Sequence, residues 1–98
     1  MKITKSSTNG TSFHDVVIRA RVNDLISVLG EPTIQDNTGE DKVNFEWDCE
    51  TEDGDVFTIY DWKEYRKLES DEFITWHIGA HSKSISNVAY DELNNALN

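Results

Sequence analysis

Two aromatic rings, a carboxylate and an imidazole stand at spacings that a β-sheet can gather onto one face: Tyr60, Trp62, Glu46 and His77. Side chains alternate across a strand, so residues two apart share a face. Glu46 on one strand, Tyr60 and Trp62 on the next and His77 on a third then point the same way if the strands pair in register. Such a group can hold a planar ligand. The rings stack on a base or ribose, while His77 and Glu46 fix its polar edges. The same four residues also suit plain cross-strand pairs or the buried side of a homodimer. All three readings stay open on spacing alone.

A second candidate adjoins the first. Trp62-Lys63-Glu64-Tyr65-Arg66-Lys67 interleaves three bases with aromatics, and Lys63, Arg66 and Lys67 can grip phosphate while Tyr65 adds a ring. Residues 61–67 have three bases and two acids, whereas residues 36–55 have nine acids and one base. A positive loop on an acidic body would focus an anionic ligand at one spot. An ordinary solvated loop has the same composition.

Other chemistry is poorly supported. His77 and His81 are four apart, which suggests a metal on a helix, but the segment reads as a strand ending at Gly79. Glu50-Thr51-Glu52-Asp53-Gly54-Asp55 lacks the spacing and terminal Glu of a calcium loop. There is no phosphate-binding Gly-rich loop, nucleophile elbow or dinucleotide fingerprint. The single cysteine, Cys49, falls at an inward strand position and reads as a buried structural thiol. The expectation is a binding protein without metal, cofactor or catalysis.

The elements that would position these residues follow from periodicity and turn residues. Residues 1–8 can form a short strand, Asn9-Gly10 signals a hairpin, and Phe13–Ala20 reads as its second strand. Val22–Leu29 carries Val22, Leu25, Ile26 and Leu29 at helical spacing, with Asn23 or Asp24 as the cap. Gly30 and Pro32 end it. A polar loop spans 33–42. Strands follow at Val43–Glu50, Asp55–Lys63 and Phe73–Gly79, and a charged loop fills Glu64–Glu72. A last helix begins near Ser82 or Ser84, with Ile85, Val88, Ala89, Leu93 and Ala96 on its apolar face. The fold class is α+β: one domain over 1–98, a single antiparallel sheet of about five strands and two helices, in the order ββαβββα.

Register decides which side chains share the candidate face. A two-residue Asp53-Gly54 turn pairs Trp47 with Tyr60. A three-residue Glu52-Asp53-Gly54 loop, with Gly54 left-handed, pairs Trp47 with Ile59 and Cys49 with Phe57. The second choice places Val43, Phe45, Trp47, Cys49, Phe57 and Ile59 on one face, joined by Ile74, Trp76 and Ile78. Each large side chain buried is worth ~1.5–3 kcal/mol, so that register should win. Asn44, Glu46, Asp48, Thr58, Tyr60 and Trp62 then face the other way, with Thr75 and His77 beside them.

Composition bounds the partners. The net charge of −10 in 98 residues repels nucleic acid and anionic membrane. No apolar run approaches the ~20 residues of a membrane span. The N-terminus lacks the apolar core of a signal peptide. One cysteine suits a reducing cytoplasm.

The segment from Phe57 to Tyr65 followed by Trp76-His77-Ile78-Gly79 resembles small uncharacterised proteins encoded in phage genomes. Leu29-Gly30-Glu31-Pro32 and the short terminal helix fit the same pattern, so the likeness spans most of residues 20–97. Small accessory phage proteins often counter host defences. In scale and make-up the chain is similar to the Thoeris anti-defence proteins, which sequester a cyclic ADP-ribose-type signal, and to anti-CRISPR proteins, many of them small and acidic. The resemblance implies a phage protein in the host cytoplasm that captures a signalling nucleotide, cyclic ADP-ribose-type or a cyclic dinucleotide. The residues read from the sequence as candidates to hold it are Glu46, Tyr60, Trp62, Lys63, Tyr65, Arg66, Lys67 and His77. A homodimer is expected because a small domain rarely encloses a dinucleotide alone. The alternative it implies is an acidic inhibitor that mimics a polyanion through residues 36–55 and binds a host nucleic-acid-handling protein.

Overall fold

Alternation along residues 45–60 sets the centre of the fold. In the computed structural model, which describes residues 1–98, β4 (Phe45–Glu50) and β5 (Val56–Tyr60) pair antiparallel with Trp47 opposite Ile59 and Cys49 opposite Phe57. This is the register of the three-residue loop. Gly54 takes φ +88°, its N–H donates to Thr51 O, and Thr51 N–H donates to Asp55 O. The left-handed conformation there costs a glycine little. β6 (Ile74–Ala80) continues the meander on the far side of β5, with Ile59 opposite Ile78 and Tyr60 opposite His77.

The remaining strands close both edges. β2 (Ser12–Ala20) pairs with β6, while β1 (Lys2–Ile3) and β3 (Ile34–Gln35) both pair with β4. The class is therefore α+β with one antiparallel sheet of six strands, one more than expected, because Ile34–Gln35 within the polar loop pairs with Phe45 and Glu46. The expected N-terminal hairpin does not form. Thr11 N–H still donates to Thr8 O around Asn9-Gly10, but β1 goes to β4 and β2 to β6, at opposite edges. Residues 4–11 consequently run from one edge of the sheet to the other.

Two helices cover one face. α1 (Val22–Leu29) matches its expected span, but its cap is different: Arg21 takes the cap position and its N–H donates to the Asp24 carboxylate at 3.0 Å. In α2 (Lys83–Leu97), the Ser82 hydroxyl accepts from Ile85 N–H at 3.2 Å, which satisfies one of the free donors of the first turn. Ala89 and Leu93 are buried, whereas Val88 and Ala96 are exposed and Ser86 takes a core position. Helical residues join Trp47, Phe57, Ile59, Trp76 and Ile78 in one cluster. Trp47 and Trp76 meet edge to face at 5.4 Å, and their indole N–H groups donate to Gly30 O and Ala20 O. Cys49 is fully buried there, and burial pushes its thiol up to about 12. The sheet face away from the helices carries no helix, and that is where the candidate residues lie. No helix is long and apolar enough to cross a membrane.

Candidate functional site

Register places Glu46, Tyr60 and His77 in one row across three strands, since Glu46 is opposite Tyr60 and Tyr60 is opposite His77. β2 extends the row with Val17. Rings then form a continuous layer: Phe13 stacks on His77 at 4.0 Å, His77 lies 5.5 Å from Tyr60, and Trp62 lies 6.1 Å from Tyr60 and 6.4 Å from His77. Phe13 reaches His77 because β2 bulges. It carries two extra residues between Phe13 and Val17, with Asp15 at φ +63° and His14 Nε2 3.0 Å from Ala80 O.

Beside the rings is a cleft of about 260 Å³, lined by Glu46, Thr58, Tyr60, Trp62 and Gly79 from the sheet side, by Val43, and by Thr8, Thr11 and Ser12 from the crossing segment. Gly79 is needed at its floor, because a Cβ there would lie 2.6 Å from Thr58 Oγ1. No lysine, arginine or histidine lines this cleft. Its walls offer one carboxyl, several hydroxyls and two aromatic rings.

Glu46 is electrostatically unusual. Burial, together with a hydrogen bond to Asp48 and the charge of Asp48, raises its carboxyl from the ordinary 4.5 to about 7. The two acids are two residues apart on β4 and so share a face. Asp48 Oδ1 is buried and has no hydrogen-bond partner, and a proton on Glu46 is the donor that would satisfy it. Burial raises the Tyr60 phenol as well, helped by the Glu46 charge, and burial lowers His77, which favours its neutral form.

A carboxyl whose pKa rises on folding helps the fold at low pH, and that help is lost as pH rises through about 7. Glu46→Gln should therefore stabilise the protein at pH 8 by about 1 kcal/mol, once screening of a half-exposed group is allowed for, and change little at pH 4. The amide N–H₂ can replace the proton toward Asp48. Denaturant melts at both pH values check this; equal shifts at both would refute a shared proton.

Trp62 stays on the outer face with Tyr60, as alternation expects, although the strand itself ends before it. β5 ends at Tyr60, and Asp61 turns inward, fully buried. Its carboxylate accepts from Asn44 N–H and Phe45 N–H, both at 2.8 Å, and from Asn44 Nδ2 at 3.0 Å. That corrects the expected sides of Val43 and Asn44. Asn44 is buried and Val43 lines the cleft, because the chain bends to bring its N–H groups to Asp61.

The loop after Trp62 is stitched down as well. Lys63 N–H donates to Lys42 O, Asn44 Nδ2 donates to Arg66 O, and Asn37 exchanges two hydrogen bonds with Leu68. Gly39 sits against the Arg66 backbone so closely that a Cβ would lie 2.6 Å from Arg66 Cα. Lys63 and Tyr65 take left-handed φ values of +56° and +49°, a strained conformation for side-chain-bearing residues.

The structure thus divides the sequence-derived candidates. Glu46, Tyr60 and Trp62 line the cleft, and His77 stacks beside them. Lys63 joins through its ammonium, 5.6 Å from the Trp62 ring centre. Tyr65, Arg66 and Lys67 do not line the cleft. Tyr65 is exposed, and the Arg66 guanidinium is held by Glu72 at 2.7 and 3.0 Å. Missed from the sequence were Phe13, Thr8, Thr11 and Ser12, and Lys42, whose ammonium lies 5.7 Å from Trp62. Neither Lys42 nor Lys63 is in an ion pair. No group of three or more His, Cys, Asp or Glu side chains is placed to hold a metal ion.

The acidic run is divided along the chain by β4. Asp36, Glu40 and Asp41 precede β4, whereas Glu52, Asp53 and Asp55 follow it, so a strand of six residues, roughly 20 Å long, separates the two groups. Glu46 and Asp48 between them belong to the sheet face. No protein-family model, curated protein or solved structure matches the chain.

Proposed function

We propose that this protein is a phage counter-defence protein that captures a signalling nucleotide in the host cytoplasm without altering it. The supporting observation is the ring layer Phe13–His77–Tyr60–Trp62 on a helix-free sheet face, beside a cleft whose only ionisable groups are Glu46 and Tyr60. Stacking on aromatic faces holds bases of any kind. Tyr60 and Trp62 take the base, and Lys42 and Lys63 at the rim meet phosphate in place of Arg66, whose donors are engaged by Glu72. The counter-defence role rests on the resemblance carried by Phe57–Tyr65 and Trp76–Gly79. A second copy would cover the part of a dinucleotide that a cleft of about 260 Å³ leaves outside.

The test is release after capture. Purified protein is incubated with cyclic ADP-ribose-type and cyclic dinucleotide signals, washed, denatured by heat, and the released small molecules are weighed by mass spectrometry. Intact nucleotide is the expected product. A chemically changed nucleotide would show catalysis instead, and no retained nucleotide would remove both readings.

A further inference from the structure

The chemistry of the cleft narrows the ligand, given the capture reading above. No cation lines it, so a phosphate would meet only hydroxyls and a carboxyl there. At about 260 Å³ it is smaller than the ~300–1,000 Å³ typical of sites that enclose a whole ligand, so one part of the ligand enters. That part must be flat, to lie against Tyr60 and Trp62. It must also bring hydrogen-bond donors, because the polar group opposite Tyr60 in the row is the Glu46 carboxyl, backed by the buried Asp48 Oδ1. Two parallel donors on a flat ring match two carboxylate oxygens. Guanine presents them as its ring N1–H and its 2-amino group. Adenine offers one donor beside an acceptor.

We propose that the cleft takes a guanine base, with the Glu46 carboxylate accepting from N1–H and the 2-amino group, Tyr60 and Trp62 against the ring, and the phosphate outside near Lys42 and Lys63. The ligand class is thereby a guanine-bearing cyclic nucleotide. Binding through both oxygens requires the ionised carboxyl, so protons compete with the ligand. The groups that face Glu46 are Asp48 on its own strand, Tyr60 on β5 and His77 one strand further; β3 brings Ile34, and the crossing segment brings hydroxyls. Burial favours neutral His77 and Tyr60, which leaves Glu46 to set the pH profile.

Calorimetric titration of the whole protein with 3′,5′-cyclic GMP, cyclic IMP and cyclic AMP at pH 6 and pH 8 tests this. Cyclic GMP should bind best, cyclic IMP about tenfold more weakly for want of the 2-amino group, and cyclic AMP more weakly still. Cyclic GMP affinity should fall about tenfold from pH 8 to pH 6, as a carboxyl near 7 takes up its proton. Glu46→Gln should abolish that pH dependence and turn the preference to cyclic AMP, since an amide pairs donor and acceptor with adenine. Equal binding of the three by the wild type, a preference for cyclic AMP, or a flat pH profile overturns the guanine assignment while leaving nucleotide capture in place. Binding of none of them overturns the guanine assignment, while the capture reading stands or falls on the release test with the larger cyclic signals.

Discussion

Asp61→Ala is expected to cost the fold about 3–9 kcal/mol, the largest loss for any polar residue in the molecule. The carboxylate is fully buried and receives two backbone N–H groups and the Asn44 amide. Alanine leaves all three donors buried and unpaired, at about 1–3 kcal/mol each. A domain of this size has only about 5–15 kcal/mol of net stability, so the variant should be near unfolding at 37 °C. Asp61→Asn should fall between. Its carbonyl can keep the two backbone bonds, but its N–H₂ then faces the Asn44 N–H₂. Turning Asn44 over relieves that clash but gives up two 3.0 Å bonds, from Gly39 N–H to Asn44 Oδ1 and from Asn44 Nδ2 to Arg66 O. Urea melts of both variants decide the matter. An Asp61→Ala loss under 1 kcal/mol would mean that the bend at Val43–Asn44 is set by something other than this carboxylate.

Asp61 also explains where sequence reasoning stopped. Alternation from Phe45 to Tyr60 was legible because one face had to bury Phe45, Trp47, Phe57 and Ile59, and only one turn length puts them together. The same alternation holds beyond β5, where Asp61 is buried in phase with Phe57 and Ile59, but it fails before β4, where Asn44 is buried and Val43 lines the cleft. An aspartate after a strand reads as the start of a solvated loop, and nothing local marks it as the acceptor for N–H groups 16 and 17 residues away. With Asp61 as the acceptor for the Asn44 and Phe45 N–H groups, Val43 and Asn44 exchange sides. Trp62 joins Tyr60 on the outer face as expected, so this part of the candidate site stays together although β5 ends at Tyr60.

The N-terminus shows a second limit. Asn9-Gly10 specifies a reversal but not the strands that flank it, and pairing with β4 or β6 is decided by surfaces tens of residues away. Because β1 and β2 go to opposite edges, Thr8, Thr11 and Ser12 are carried over the sheet and become a wall of the cleft. Phe13 arrives on His77 through a bulge with no glycine or proline to announce it. Glu46 and Asp48 were both readable as outward on β4. The raised carboxyl of Glu46 was not, since it depends on how far that face is desolvated.

Capture of a cyclic nucleotide should be lost by about 10²–10³-fold when Trp62→Ala and Tyr60→Leu are combined, because a stacked base is worth about 1–3 kcal/mol on each ring. Trp62 is 40 % exposed, so its removal leaves the core intact, and leucine keeps the half-buried volume at Tyr60. Arg66→Ala is the informative contrast. Arg66 carries the bidentate pair with Glu72 and does not line the cleft, so its loss should alter affinity less than about twofold while costing at most about 1 kcal/mol of stability. Equilibrium dialysis with a labelled cyclic nucleotide measures both variants. If Arg66→Ala abolished capture and the double aromatic variant kept it, the ligand would sit on the 61–67 loop and the ring layer would be a sheet surface only. The opposite order is expected, because among the sequence-derived candidates Tyr60 and Trp62 are the rings that share a wall with Glu46, the one acid in the cleft.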